Sequence, residues 1–372
     1  MAAVSTDVLS RRALNRATLE RQLLLRRADA PVLDTVHHLV GMQAQVPLNP
    51  YLGLWSRLER FRPDDLAELI LDRKVVRTVV MRGTIHLVTA DDALVLPRLV
   101  QPVLDAELRR HRDHAPVLER IDLGEVLTVA REILREPHTA PQLRAALAER
   151  FAEHDAAALA FACRNHLALV QVPPRGIWGR AGPVTLATAE SWLGRPMADP
   201  PIDEVLLRYL GAFGPASVAD MTTWSRLTGL REVVERLRPR VRVFHDEAGR
   251  ELVDLPDAPR PEPDVPAPPR FLPEFDNALL SHADRSRFFD ADQPRLYGTG
   301  DPFHGSVLVD GTLRAVWRID RVKTTDAATL VVTRLGRLTK RATSAVAAEG
   351  RRVLRFLAAD ADSHDIRMVP LD

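Results

Sequence analysis

The sequence predicts an α+β chain of three tandem winged helix-turn-helix repeats followed by a small C-terminal β-barrel or curved sheet. Three observations predict it. The order helix, helix, hairpin recurs three times at a spacing of roughly 70–90 residues. Residues 256–270 then hold seven prolines and end the helical region. Beyond them the pattern changes to alternating strands joined by an Asp-Gly turn.

In the first copy, Val32, Leu33, Val36, Leu39 and Val40 recur at helical spacing and stop at Gly41, a C-cap. A second helix covers residues 65–73. Residues 75–89 are rich in β-branched side chains with Arg82-Gly83 in their middle, and read as a hairpin. The second copy begins a helix at Thr139, with Pro141 in its first turn. An alanine-rich helix follows, and residues 170–186, broken by Pro173, Pro174, Gly176, Gly179 and Gly182, make its wing. The third starts at Gly214-Pro215, continues through a helix at 232–238 and closes in a hairpin that turns at 246–249. After the proline-rich linker, residues 305–319 form two strands around Asp310-Gly311, residues 328–334 add another, and a helix over 344–358 closes the chain. The predicted units are residues 1–115, 116–200, 201–258 and 259–372.

Composition narrows the class. A chain 46% hydrophobic and 27% charged can bury a real core. Residues 1–10 lack the basic patch and apolar run of a signal peptide, and no apolar stretch reaches membrane-spanning length. The single cysteine, Cys163, excludes an internal disulfide and a multi-cysteine zinc site. A cytoplasmic protein is expected. The net charge of +1, from 51 basic and 50 acidic residues, does not advertise a nucleic-acid binder, so any basic face must come from local patterning. The basic residues are almost all arginine; the lysines are Lys74, Lys323 and Lys340.

The most informative segment is Gly41-Met42-Gln43-Ala44-Gln45-Val46-Pro47. In a helix, Gln43 and Gln45 would diverge by about 200°. Gly41 ends the preceding helix, however, and Pro47 biases Val46 toward an extended conformation. In an extended segment residues two apart face the same side, so two amides can converge on one small target. The competing reading is that both glutamines cap helix ends or face water.

This segment resembles the Gln-aliphatic-Gln motif of the AlkZ-like family of winged-helix DNA glycosylases, whose superfamily includes crosslink-repair enzymes. Four further segments carry the likeness: residues 76–86, residues 174–180 (Pro174-Arg175-Gly176-Ile177-Trp178-Gly179-Arg180), residues 214–220, and residues 272–285, the last long and specific. They span nearly the whole chain. The resemblance implies a C-shaped array of three winged helices with a β-barrel, and neither a metal nor an organic cofactor. It implies a monofunctional glycosylase acting as a monomer on double-stranded DNA carrying N7-alkylated purines, crosslinked ones among them, in the cytoplasm or at the nucleoid.

On that reading Gln43 and Gln45 are the catalytic pair. An N7-alkylated purine is already cationic and leaves as a neutral base, so the site needs only to place a water and tolerate an oxocarbenium-like sugar, which amide oxygens can do. Related glycosylases carry an aspartate where Gln45 stands. With no lysine near, a Schiff base is not expected, and the product would be an abasic site. Arg82, Thr84 and His86 on the first hairpin, Arg175, Trp178 and Arg180 on the second wing, and His282 and Arg285 before the C-terminal strands are the expected DNA contacts. His86 packing within its hairpin and Trp178 lying in the core are the structural alternatives. Asp276 and Asn277 read as turn builders.

Other patterns carry less. Glu107, His111 and His114 share a helical face and form a weak metal candidate. Residues 298–305 contain the glycines of a loop, but Pro302 and the lack of a strand-helix context argue against a nucleotide cradle. There is no Gly-x-Ser-x-Gly elbow. The rival function is a non-enzymatic winged-helix regulator or lesion-binding protein, and a small-molecule hydrolase ranks last.

Overall fold

The computed structural model describes residues 8–199, 201–290, 305–322 and 326–371. The loop expected at 298–305 lies outside these residues except for Gly305.

One order of elements occurs three times. The first copy runs through the helix Val32–His38, the short strand Met42–Gln43, the helices Asn49–Arg57 and Pro63–Leu71, and the hairpin strands Val75–Val79 and Ile85–Thr89. The second has the helix Leu123–Ile133, the strand His138–Thr139, the helices Ala140–Arg150 and Ala156–His166, and the strands Leu169–Gln171 and Thr185–Thr188. The third has the helix Ile202–Phe213, a single bridge at Ala216, the helices Val218–Ser225 and Leu230–Leu237, and the strands Arg242–Asp246 and Glu251–Asp254. In every copy the short strand or bridge pairs antiparallel with the last strand: Met42 with Leu87, His138 with Leu186, Ala216 with Val253.

Local chemistry explains the helix starts. Thr139 and Ser217 are N-caps whose hydroxyls accept from the backbone three residues on, while Gln142 and Asp220 reach back to close capping boxes. Gly41 has φ +88°, a conformation that admits glycine cheaply and turns the chain out of the helix into the strand.

The copies do not sit apart. The first hairpin pairs edge to edge with the second, Arg77 with Gln171 and Thr78 with Val170, giving one six-stranded sheet. The N-terminal strand Val8–Leu9 pairs parallel with the third hairpin, and the helix Arg11–Arg21 packs on the helix Ile202–Phe213. There Arg21 donates to both carboxylate oxygens of Asp254, at 2.6 and 2.8 Å, in a fully buried ion pair.

The C-terminal strands correct one expectation. They form a five-stranded sheet in the order Arg270–Leu272, Gly305–Val309, Thr312–Val322, Ala327–Arg334, Ser363–Pro370. Its two outer strands do not pair with each other among the described residues, so the sheet is open and is not a closed barrel. The helix Lys340–Leu357 is the reason. It serves as the crossover that lets Ser363–Pro370 run parallel to Ala327–Arg334, and such a pair needs a long connection. Val346, Val353 and Leu354 on that helix pack with Phe271, Val307 and Trp317 of the sheet. The predicted turn is present, with positive φ at both Asp310 and Gly311. Among the described residues no helix is long and apolar enough to cross a membrane.

Candidate active site

The Gln43-Ala44-Gln45 segment lies along the outer edge of the first hairpin, on the side away from its seam with the second. Gln43 pairs with His86, and the Ala44 N–H donates to the Ile85 carbonyl at 2.8 Å. The Ala44 carbonyl accepts from Arg77 Nη2, also at 2.8 Å. Arg77 is buried, and burial followed by the neighbouring Arg175 guanidinium pushes its pKa down to about 10, so it stays a cation at neutral pH. Three groups of the hairpin thus hold Gln43 and Ala44 in line with its second strand; the strand itself is Met42–Gln43, and the chain bends at Gln45 and Val46, short of the extended run expected through Val46.

Both glutamine oxygens are held by the same hairpin tip. Gln43 Oε1 accepts from Arg82 Nη2 at 2.8 Å, and Gln45 Oε1 accepts from the Ile85 N–H at 3.3 Å. They open on different hollows, which corrects the expectation that the two amides converge on one target: the bend at Gln45 turns its side chain away from that of Gln43. Gln43 is buried beside a crevice of about 10 Å³ shared with Gln22, Arg57, Asp276 and Asn277. Gln45 is exposed and borders a cavity of about 620 Å³ between the first hairpin and the second copy.

Arg82 organises the buried side. It lies at the turn with φ +61°, a region that costs a non-glycine residue of order 1 kcal/mol. Its Nη2 reaches Gln43 Oε1, Asn277 Oδ1 at 2.7 Å and His86 Nε2 at 3.2 Å, while Nη1 donates to the Trp224 carbonyl at 3.2 Å. His86 Nδ1 faces the Thr84 carbonyl at 3.0 Å, so that nitrogen carries the proton and Nε2 is left to accept from Arg82. Burial first, then the Arg82 charge, push the His86 pKa down to about 3 and keep the ring neutral. Arg82 is itself lowered to about 10, by burial and then by the charges of Arg226 and Arg285.

Behind this network stands a second one that the sequence did not reveal. Arg57 donates to both oxygens of Asp276, at 2.8 and 2.9 Å, in a buried pair. Asp276 also caps the short helix Asn277–Leu280, which fixes Asn277 so that its Oδ1 receives Arg82 and its Nδ2 donates to the Gly41 carbonyl at 3.2 Å. The two residues read as turn builders thus brace the site. The Asp-Asn pair signals the cap, but nothing local signals a partner 219 residues away.

The remaining candidates divide. His86 is fully buried and His282 nearly so, with His282 Nε2 against the Phe213 carbonyl at 2.9 Å. Neither presents a surface to a DNA strand, which corrects the expectation of direct contact; desolvation, followed by the Arg287 charge, pushes the His282 pKa down as well. Trp178 packs against Tyr51 and Phe356, at ring separations of 5.1 and 5.3 Å, and serves the core. Thr84 Oγ1 donates to the Met81 carbonyl. Arg175 is half-buried and donates to the Gly182 carbonyl at 3.3 Å, whereas Arg180 is exposed. Arg285 is half-buried, and its charge acts on Arg82. Glu107 pairs with Arg164, and His111 stacks on His114 at 4.3 Å; no metal-binding group forms among the described residues.

The fold is similar to that of the Streptomyces sahachiroi DNA glycosylase AlkZ, with a TM-score of 0.73 over 97% of this chain and 100% of that one at 21% sequence identity. No curated protein matches the chain. A model of the AlkZ-like DNA glycosylase family matches residues 36–356, which take in the Gln43 segment, the first hairpin and residues 272–285. The chain belongs to this family of DNA glycosylases.

Proposed function

We propose that the protein hydrolyses the N-glycosidic bond of N7-alkylated, cationic purines in duplex DNA, with Gln43 and Gln45 as the catalytic pair. The observation that carries this reading is the Gln43-Ala44-Gln45 segment clamped to the tip of the first hairpin, with Gln43 fixed by Arg82 and Gln45 exposed. The bond between C1′ and N9 breaks, and its electron pair neutralises the departing base. A water oxygen bonds to C1′ and its proton goes to solvent. An amide oxygen has two lone pairs, so Gln45 can accept from that water while still holding the Ile85 N–H and direct negative dipole density at the sugar cation, with Gln43 acting from the buried side of the same hairpin tip, where Arg82 holds it.

The three repeated units then act as winged helices presenting hairpins to the duplex, with Arg175, Arg180 and Arg285 meeting phosphates. A site at the edge of a hairpin, partly open, suits bulky or crosslinked lesions. Action as a monomer in the cytoplasm, in repair or in self-protection against a genotoxin, completes the reading.

The test is release of 7-methylguanine from methylated duplex DNA by the wild type and by the Gln43→Ala/Gln45→Ala variant. We expect release by the wild type and a loss of roughly 100-fold or more in the variant, with duplex binding retained. Duplex binding without release by the wild type would favour a non-enzymatic DNA-binding protein.

A further inference from the structure

We propose that Arg226, on the third repeated unit, binds the strand phosphate beside the lesion nucleotide, with Arg285 as its companion. The inference rests on the glycosylase reading of Gln43 and Gln45 and adds to it a residue that positions the damaged strand.

The backbone singles Arg226 out. It ends the helix Val218–Ser225 in the left-handed region, at φ +65°, with its N–H donating to the Thr222 carbonyl at 2.7 Å. Glycine fills such a helix end at least cost, as Gly194 does at φ +66° after the helix Ala189–Leu193. Any other residue there costs of order 1 kcal/mol, and strain of this kind gathers at functional sites. The slot holds a long cation that is exposed.

Position ties this cation to the glutamines. The Trp224 carbonyl, two residues before Arg226, accepts from Arg82 Nη1, and Arg82 Nη2 holds Gln43. Arg285 is brought to the same helix by the N–H groups of Ala283 and Asp284, which donate to Asp220 Oδ1 at 2.8 and 3.4 Å. Both charges act on Arg82 and push its pKa down, so three guanidinium groups meet here. Nothing negative answers them among the described residues. The acceptors of Arg82 are amide and backbone oxygens and a neutral imidazole. Asp284, the acid next to Arg285 in the chain, is taken by Arg250. The Arg226 and Arg285 side chains form no hydrogen bond or ion pair among the described residues, whereas Arg236, Arg238 and Arg240 on the same unit each pair with a carboxylate. Crowded like charges without a counterion suit an anionic guest, and in a DNA glycosylase the anion beside the reacting sugar is a strand phosphate. Bound there, it offsets the repulsion on Arg82, the residue that fixes the Gln43 amide.

The experiment reads affinity by fluorescence anisotropy on a duplex with one 2′-fluoro-7-methylguanine, whose glycosidic bond resists cleavage because fluorine destabilises the sugar cation. The wild type is compared with Arg226→Gly, which relaxes the left-handed turn, and with Arg226→Lys, which keeps the charge. We expect Arg226→Gly to unfold in urea at or above the wild-type midpoint, which reports an intact fold. Its affinity should fall about tenfold, and its plot of log affinity against log salt should be shallower by about one, with Arg226→Lys restoring most of that slope. An uncharged methylphosphonate on one side of the lesion should cost the wild type about as much and cost Arg226→Gly nothing further. Wild-type affinity and slope in Arg226→Gly would overturn the phosphate contact. An equal cost of the methylphosphonate in both proteins, on either side of the lesion, would overturn its placement beside the lesion. Release of 7-methylguanine from the unfluorinated duplex by the wild type tests the glycosylase reading separately; its absence sinks that reading, while the binding comparison still decides the contact.

Discussion

Arg82 Nη2 donates to Gln43 Oε1 at 2.8 Å, and this contact fixes which way the Gln43 amide faces. A carboxamide can flip between two nearly isosteric orientations; a guanidinium on one side accepts only the oxygen there. The same nitrogen also engages Asn277 and His86, so the orientation of the amide is set by three elements at once.

Replacing Arg82 by lysine keeps the charge and removes the planar fork. Single-turnover release of the base should slow roughly 10–100-fold, the worth of one or two charge-assisted hydrogen bonds. The salt dependence of duplex binding should stay as in the wild type, because the charge is retained. A release rate within twofold of the wild type would remove Arg82 from the positioning role.

The buried Arg57–Asp276 pair gives a second test. Arg57→Met leaves the Asp276 charge buried and should cost about 3–5 kcal/mol in urea unfolding. The double variant Arg57→Met/Asp276→Leu should recover a large part of that loss. A double variant no more stable than the single one would show that the pair matters as a cap for residues 277–280 more than as a charge pair.

Gly41→Ala probes the entry to the motif. A Cβ there would come within 2.7 Å of Val88 Cγ1 and 3.1 Å of the Leu87 carbonyl, at φ +88°. We expect a loss of roughly 1–3 kcal/mol of stability. Glycosylase activity should fall further than stability alone accounts for, because the strand that carries Gln43 shifts with it; assays well below the melting temperature separate the two.

The neutral buried histidines predict acid sensitivity. His86 titrates at about 3 and His282 is also pushed down, whereas an unfolded histidine titrates near 6.5. The unfolded chain therefore binds protons that the folded one refuses. Stability is complete above about pH 6.5 and declines as the pH falls toward 3, by up to about 1.4 kcal/mol per pH unit for each histidine. Urea midpoints at about pH 7.5 and about pH 5.5 should differ in the wild type and differ less in His86→Gln; equal midpoints in the wild type would refute this.

What the sequence disclosed depended on how local each feature is. The hairpin at 75–89, the helix start at Thr139 and the turn at Asp310-Gly311 follow from neighbours a few residues apart, and the structure contains them. Gly41 marked the entry to the glutamine motif in the same way, but the extended run stops early: the strand is Met42–Gln43 and the chain bends at Gln45 and Val46, so the two amides part instead of converging. The final strand, Ser363–Pro370, escaped because parallel pairing is decided by a helix that intervenes, and the barrel expectation failed with it. The roles of His86 and His282 escaped for another reason. A histidine reads the same whether it faces DNA or a buried arginine, and only Arg82 and Phe213 decide which. Asn277, which looked like turn material, acquires its function from Arg82, which lies 195 residues away in the chain.

The junction between the first two hairpins has a bearing on how the chain avoids meeting copies of itself. Each hairpin in isolation would expose a row of unpaired backbone groups flanked by Val76, Leu169 and Val170, the kind of apolar border that recruits strands from other molecules. Here each border is occupied by the other, and the Thr78 hydroxyl donates to the Leu169 carbonyl at 2.8 Å to pin the seam. Joining two repeats into one sheet removes two templates for self-association, and it does so at the strand that carries Arg77, the residue that holds the glutamine motif in place.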